Sequence, residues 1–219
     1  MNKIIKAVTF DLDGLMVNTE DIYDDVCQVL LAKRGHAFDR QLKLKMMGHP
    51  GPVAIAIMKA ELHLNDTVDQ LASEIETLFH SIMPKKIKRQ PGLMPLLQEL
   101  ESLKIPAAVA TSSSRRHALA VLERCQIIKR FQFILTAEDV VCGKPDPEIY
   151  LLAATKHGIH PSQMLVLEDS VQGSLAGVAA GALTIAVPGH HSLNCDFSHT
   201  HHRAVSLADP LIRTCLAQR

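Results

Sequence analysis

The feature that most constrains this chain is a regular alternation of short apolar segments with helix-type segments beyond residue 92. Apolar runs typical of buried strands occur at 107–110, 133–135, 164–167 and 183–187, and a segment with helical periodicity precedes each run. Successive parallel strands require a crossover connection, which is usually a helix. The pattern therefore predicts the α/β fold class, with a parallel sheet that carries helices on both faces.

A block of helices separates the first strand from the rest of this sheet. Four helix-type segments follow the strand predicted at Ala7–Phe10. They are 19–34, 40–47, 52–63 and 67–83. The run Pro84–Gly92 then breaks the periodicity, and we interpret it as a hinge or linker. Because the first strand needs partners that begin only beyond this linker, we predict a core domain of residues 1–15 plus 86–219 and an inserted helical domain of residues 16–85.

The composition gives no electrostatic case for a nucleic-acid or membrane partner. Lys+Arg and Asp+Glu number 23 each, whereas anionic partners favour a basic surface. The five cysteines are widely spaced and form no C-x-x-C, which argues against a disulfide framework or a zinc ribbon. The N-terminal apolar run is cut by Lys6, and the longest apolar window, 175–187, is too short to span a bilayer. We expect a cytoplasmic monomer.

Charged and polar residues follow the predicted strands at their carboxyl ends, where ligands bind in open parallel sheets. The residues concerned are Asp11, Asp13, Thr111, Ser112, Lys144, Glu168 and Asp169. Acidic groups that converge at this edge would repel one another strongly at low dielectric, so they need a cation. Oxygen ligands without His or Cys suit Mg²⁺.

Four short motifs on this edge resemble those of the haloacid dehalogenase (HAD) superfamily. They are Asp11-Leu12-Asp13-Gly14, Thr111, Lys144 within Gly-Lys-Pro-Asp-Pro, and Glu168-Asp169-Ser170. They occur in the family's order and spacing, and the match covers nearly the whole chain. The resemblance implies a Rossmann-like parallel core with an inserted helical cap of the C1 type. The first motif is most similar to the β-phosphoglucomutase branch, which also contains phosphatases of sugar phosphates and of pseudouridine 5′-phosphate.

The resemblance implies a role for each motif residue. Asp11 would be the nucleophile that forms an aspartyl-phosphate, and Asp13 would act as general acid and then as general base. Thr111 and the amide of Ser112 would hold phosphate oxygens near the start of the next helix. Lys144 would offset the charge of Asp11 and of the phosphoryl group. The residue types also allow a plainer interpretation, in which Asp-x-Asp-Gly is a turn and the serines only cap a helix.

The expected cofactor is Mg²⁺. Asp169 would bind it together with Asp11 and the backbone carbonyl of Asp13. Glu168 is either a further ligand or a group that contacts the ligands, and the sequence leaves that choice open. Asp169 and Glu168 would also suit an ordinary helix N-terminus, where the helix dipole favours negative charge.

The inserted helices resemble a cap that selects the substrate. Related caps carry a glycine-containing loop that faces the active site, and here this loop includes Gly48 and His49. Both are candidate substrate contacts, and a solvated loop is the alternative for His49. The His-rich segment 190–202, which includes Cys195, matches no zinc pattern closely, so we interpret it as a solvated polar loop.

Three functions compete. A Mg²⁺-dependent phosphatase would hydrolyse a small phosphorylated metabolite, either a sugar phosphate or a nucleoside monophosphate. A β-phosphoglucomutase-type mutase would return the phosphoryl group to another hydroxyl of the same sugar. Related mutases carry a histidine where this chain has Tyr23 and an arginine in the cap loop, whereas residues 48–55 contain none. A non-catalytic metabolite-binding protein would not need every motif residue, and a dehalogenase would lack Asp13. We therefore predict a HAD-family phosphoric monoester hydrolase.

Overall fold

The computed structural model describes residues 4–46 and 51–217. The strands are β1 Ala7–Phe10, β2 Ala107–Ala110, β3 Ile134–Leu135, β4 Met164–Glu168, β5 Leu183–Ala186 and β6 His202–Arg203. The α-helices are α1 Thr19–Ala32, α2 Arg40–Met46, α3 Gly51–Glu61, α4 Val68–Lys86, α5 Leu93–Ser102, α6 Arg115–Arg124, α7 Glu148–His157, α8 Val171–Ala179 and α9 Pro210–Ala217. Short 3-10 turns join several of these elements.

All the assigned strands form one parallel sheet in the order β3-β2-β1-β4-β5-β6. β1 lies inside the sheet, with Val8 opposite Ala107 of β2 on one side and Leu165 of β4 on the other. The chain order reverses beside β1, and such a switch point is where ligands bind in open α/β sheets. The predicted α/β class with a parallel sheet is confirmed.

The central strands are apolar because the sheet is buried on both faces. Every residue of β1, β2 and β4 is buried. Tyr150 of α7 shares a core cluster with Val166 of β4. The glycines of α8 allow this helix to lie close to the sheet. A Cβ at Gly177 would stand only 2.7 Å from the Thr184 hydroxyl, so a larger residue there would push the helix away.

Helices α1–α4 form a second compact unit. The residues up to Asn18 and from Lys88 onward make up one unit, and Thr19–Ile87 make up the other. Within the helical unit, α1 packs against α4, and the buried cluster includes Leu30, Met58 and Leu71.

An exposed ion network crosses this helical unit. Arg34 donates to the two carboxylate oxygens of Asp66 at 3.1 and 2.8 Å, and to Glu74 at 2.7 Å. Lys33 also donates to Glu74, at 2.9 Å. Every side chain in this network keeps contact with solvent, from 19% exposed at Arg34 to 53% at Lys33.

The predicted break at Pro84 is wrong, because α4 continues through Pro84 to Lys86. Proline removes one backbone donor and crowds the carbonyl four residues before it. Beyond the proline, the Ile87 amide still donates to the Met83 carbonyl at 2.9 Å. Phe79 and Met83 are buried in the same last turns, and their packing offsets the lost bond.

None of the helices in the described part of the chain has both the length and the apolar character needed to cross a bilayer.

Candidate active site

The candidate site lies at the carboxyl edge of the sheet, around the end of β1. Asp11 follows β1 directly, Thr111 follows β2, and Glu168 is the last residue of β4. Lys144 comes from the loop between β3 and α7. Because these strands are parallel neighbours, their carboxyl ends meet. The structure brings Asp11, Lys144 and Glu168 into contact there, and Thr111 lies beside Asp13.

Lys144 is the buried centre of this group. Its ammonium donates to Asp11 Oδ1 at 2.6 Å, to Glu168 Oε1 at 2.6 Å and to the Ala110 carbonyl at 2.9 Å. The side chain is only 5% exposed, and these three acceptors match its three donors. Burial works against the charged form, but the two carboxylates outweigh it, so the pKa of Lys144 stands above its usual range. Lys144 is therefore a fixed positive charge beside Asp11.

Burial also disfavours the charged form of Asp11, and here Lys144 does not outweigh it. Burial raises the pKa of Asp11 to about 8, Glu168 and Asp13 add to that shift, and Lys144 opposes it. A carboxylate that must act as an anion at neutral pH therefore needs more positive charge than Lys144 alone supplies.

Glu168 is completely buried and has several donors around its carboxylate. Besides Lys144, its Oε1 accepts from the Tyr150 hydroxyl at 2.7 Å, and its Oε2 accepts from the Ser170 hydroxyl at 3.0 Å. Burial and Glu168 together raise the pKa of Tyr150 well above its usual value. A Cβ at Gly173 would lie 1.7 Å from Oε1, so α8 needs glycine there to leave room for the carboxylate. These contacts fix Glu168 against Lys144.

Asp13 faces the loop after β2 and the first turn of α6. Its Oδ2 accepts from the Ser113 hydroxyl at 2.6 Å, and Thr111 lies within 3.4 Å of the same oxygen. Its Oδ1 lies 2.9 Å from Nε2 of His117, a residue that is only 8% exposed. The Ser112 side chain, by contrast, is exposed.

The sequence analysis missed Tyr150, Ser113 and His117. The pattern Ser-x-x-x-His at the start of a helix after a strand is the only sequence signal for Ser113 and His117, and it is weak by itself. Tyr150 reads as an ordinary core aromatic. Gly48 and His49 lie outside the described residues, and their proposed substrate contacts stay predictions.

The carboxylates at this edge fit a hard divalent cation. Oxygen atoms of Asp11, Glu168 and Asp169 all lie within 4.8 Å of one another. Gly14, with φ +79°, makes room for Asp169, because a Cβ there would stand 2.1 Å from its Oδ2. The Ser192 hydroxyl donates to the Asp169 carbonyl at 2.7 Å and fixes its backbone. An all-oxygen set of carboxylates is the chemistry that Mg²⁺ prefers.

Comparison with known proteins places this geometry in a family. A family model described as haloacid dehalogenase-like hydrolase matches residues 8–187. A phosphorylated carbohydrates phosphatase of Thermotoga maritima is 31% identical over 94% of this chain and 95% of its own length. The bifunctional riboflavin kinase/FMN phosphatase of Arabidopsis thaliana is 35% identical over 86% of this chain, which spans 50% of that longer protein.

A solved structure gives the same result. The HAD-family hydrolase of Deinococcus radiodurans, crystallised with bound phosphate and sodium, is 29% identical and superposes with a TM-score of 0.79. The match covers 99% of this chain and 96% of that one. With the motif residues assembled as described and both chains matched nearly end to end, this protein is an enzyme that belongs to the haloacid dehalogenase-like hydrolase family.

Proposed function

We propose that the protein is a Mg²⁺-dependent phosphatase that hydrolyses a small phosphate monoester through an aspartyl-phosphate on Asp11. The observation that carries this proposal is the buried contact between Lys144 Nζ and Asp11 Oδ1, at 2.6 Å, at the end of β1. It gives a carboxylate a fixed cation in a nearly dry setting, with a second carboxylate, Asp13, two residues further on. A nucleophile beside a proton donor is the arrangement that two-step phosphoryl transfer needs.

In the first step, a carboxylate oxygen of Asp11 forms a bond to phosphorus, and the bond between phosphorus and the ester oxygen breaks. The leaving oxygen takes a proton from the carboxyl group of Asp13 and departs as an alcohol. The products are phospho-Asp11 and an ionised Asp13.

In the second step, water forms a bond to phosphorus and the aspartyl–phosphorus bond breaks. Asp13 takes a proton from this water, which returns it to its starting state. Inorganic phosphate leaves, and Asp11 is again a free carboxylate.

Lys144 would balance the negative charge of Asp11 and of the phosphoryl oxygens. Glu168 and Tyr150 hold this lysine in place rather than touch the substrate.

Thr111 and the Ser112 amide would bind phosphate oxygens. We assign this role to the loop rather than to the helix because two first-turn amides of α6 already have partners. The Arg115 amide donates to Glu138 and the His117 amide to Ser114.

The cation would be held by Asp11, Asp169 and the backbone carbonyl of Asp13. Glu168 is the weaker candidate for a ligand, since Lys144, Tyr150 and Ser170 already donate to its carboxylate. When bound, Mg²⁺ supplies positive charge that stabilises the phosphoryl oxygens and lowers the pKa of Asp11 toward its ordinary value.

The relatives and the first motif support a substrate class to test. One relative is named for phosphorylated carbohydrates and another for FMN, so a sugar phosphate or a nucleoside monophosphate is the class to test. In this proposal the inserted helices, residues 16–85 by sequence, act as the cap that selects the substrate.

We infer a monomer in the cytoplasm, where the widely spaced cysteines would stay reduced.

Phosphate release from a panel of esters with Mg²⁺ tests the proposal. The panel contains glucose 6-phosphate, β-glucose 1-phosphate, ribose 5-phosphate, pseudouridine 5′-phosphate, FMN and p-nitrophenyl phosphate. We expect release that EDTA abolishes and that Asp11→Asn lowers by at least about 10³-fold. The matched control is Asp196→Asn, the same change at an exposed carboxylate, which should keep full activity.

Two results would overturn the proposal. Normal phosphate release by Asp11→Asn would remove the nucleophile. Conversion of β-glucose 1-phosphate to glucose 6-phosphate, without free phosphate, would identify a mutase instead.

A further inference from the structure

One buried polar side chain beside the proposed machinery has no role in the two steps above. His117 lies in the first turn of α6 and is 8% exposed, and its Nε2 stands 2.9 Å from Asp13 Oδ1. An ionised carboxylate can only accept hydrogen bonds. In that state the Nε2–H of His117 therefore donates to Asp13.

The carboxylate of Asp13 is held at both of its oxygens. His117 lies at Oδ1, while the Ser113 hydroxyl donates to Oδ2 at 2.6 Å. A single contact would leave the group free to turn about its Cβ–Cγ bond. Two contacts on opposite oxygens set the plane of the carboxylate, and so the direction in which it gives or takes a proton.

The backbone that carries His117 is itself fixed. Ser114 caps α6 by accepting from the His117 amide at 3.2 Å, and the Arg115 amide donates to Glu138 at 3.0 Å. The Thr111 hydroxyl accepts from the Ser113 amide at 3.0 Å, which fixes the other partner of Asp13. Both partners therefore come from one short segment that is locked by its own hydrogen bonds.

We propose that His117 is a positioning residue for Asp13: it holds one carboxylate oxygen while Ser113 holds the other, and so aims the general acid–base at the reacting oxygen. The proposal rests on the proposed function, because it presupposes that Asp13 transfers the protons. His117 itself neither gains nor loses a proton in either step. The proton moves between Asp13 and the ester oxygen first, and between water and Asp13 second.

A positioning role has a defined kinetic signature. General acid–base catalysis contributes about 10²- to 10⁴-fold, and a misplacement of about 1 Å can cost about 10²-fold. Releasing one side of Asp13 should therefore lower kcat about 10- to 100-fold. On an alkyl phosphate, where Asp13 serves both steps, KM should change less than about threefold, since His117 is not proposed to contact substrate. On p-nitrophenyl phosphate, where only the second step slows, KM should fall together with kcat.

The two steps can be separated with p-nitrophenyl phosphate. Its nitrophenolate leaves without needing a proton, so the first step does not depend on Asp13. The second step still needs Asp13 as base. In His117→Phe we expect phospho-Asp11 to accumulate, giving a burst of nitrophenolate close to one per active site, followed by a slow steady rate. On the best alkyl phosphate of the panel, the same variant should lose rate without a burst.

Two further variants sharpen the test. His117→Gln puts an amide donor near the position of Nε2, and it should recover most of the lost kcat. His157→Phe is the matched control, because His157 is a partly buried histidine in the same unit that contacts Gln132 and Phe133. This control should keep wild-type kinetics. Circular dichroism melting of each variant checks that the fold is retained.

A double-mutant cycle gives the decisive result. If His117 acts through Asp13, adding His117→Phe to Asp13→Asn should lower the residual p-nitrophenyl phosphate turnover no further. A further 10-fold loss, a loss confined to KM, or wild-type kinetics in His117→Phe would each overturn the inference. Asp11→Asn is run in the same series. If that variant retains turnover, the proposed function is wrong. If Asp11→Asn is inactive and His117→Phe has normal kinetics, only the positioning role of His117 is wrong.

Discussion

The two compact units each contain an ion network, and the two networks differ in their surroundings. In the α/β unit, Lys144 pairs with Asp11 and Glu168, and none of these side chains is more than 10% exposed. In the helical unit, Arg34 pairs with Asp66 and Glu74, and both carboxylates are more than a quarter exposed. The contact distances are similar, so geometry does not separate the two networks.

What separates them is the cost of breaking each one. Water can solvate any exposed charge that loses its partner, so surface pairs contribute little. A buried charge without its partner has no such replacement, and removing one member of a buried pair is strongly destabilising. In this protein the buried network lies beside the proposed nucleophile.

The largest effect is expected from Lys144→Met. This change removes the cation that is buried between Asp11 and Glu168 and leaves the Glu168 carboxylate without it, so we expect a loss of about 3–5 kcal/mol in the free energy of unfolding. Phosphate release should fall below detection. Urea unfolding at pH 7 gives the first quantity. Lys33→Met, the same change in the exposed network, should leave both measurements close to wild type. Equal losses in the two variants would contradict the comparison.

A second effect is expected in the pH dependence of stability. Burial raises the pKa of Asp11 to about 8 in the folded protein, well above its ordinary value of 3.8, so Asp11 should stay protonated there at pH values at which the unfolded chain is ionised. The folded state thus binds more protons across this window, and its free energy of unfolding should fall as pH rises from about 4 to 8. Asp11→Asn lacks this group, so wild type should lose stability relative to the variant as pH rises.

Urea midpoints of both proteins at pH 5 to 8 in EDTA measure that difference. Added Mg²⁺ should reduce it, because a ligand that binds the folded state stabilises it. Asp196→Asn, at an exposed carboxylate, should not reproduce the trend. A pH-independent gap between wild type and Asp11→Asn would mean that Asp11 is not held protonated by its surroundings.

The smallest effect is expected from Arg34→Met in the helical unit. Its partners remain solvated after the change, so the melting temperature should fall by at most a few degrees. The effect should shrink further when salt is raised, because exposed pairs are screened. Differential scanning calorimetry at low and high NaCl measures both. A loss as large as that of Lys144→Met would show that exposure does not set the cost.

The fold was predictable from local pattern. The apolar runs of β1, β2 and β4 predicted buried parallel strands, because an apolar run without alternation suits a sheet covered on both faces. The edge at which Asp11 and Asp169 would gather followed from the same parallel arrangement. The helix break at Pro84 was predicted wrongly, because the sequence shows the lost hydrogen bond but not the packing that offsets it.

The detailed contacts of the site were not predictable. Tyr150 and His117 reach Glu168 and Asp13 across sequence separations of 18 and 104 residues, and no local pattern encodes such contacts. Their sequence surroundings are those of ordinary core positions on helices. Side-chain convergence of this kind depends on how α6 and α7 pack against the sheet, and only the structure gives that.

The position of β1 in the sheet has a consequence for how the chain folds as it is synthesised. β1 is made before both of its neighbours, β2 and β4, which begin at Ala107 and Met164. A ribosome adds roughly 5–20 residues per second, so this apolar strand waits several seconds or more for both partners. Helices α1–α4 make closer contacts along the chain and can fold during that delay. During that delay we expect β1, the strand that precedes the proposed nucleophile, to be exposed to chaperones and to aggregation.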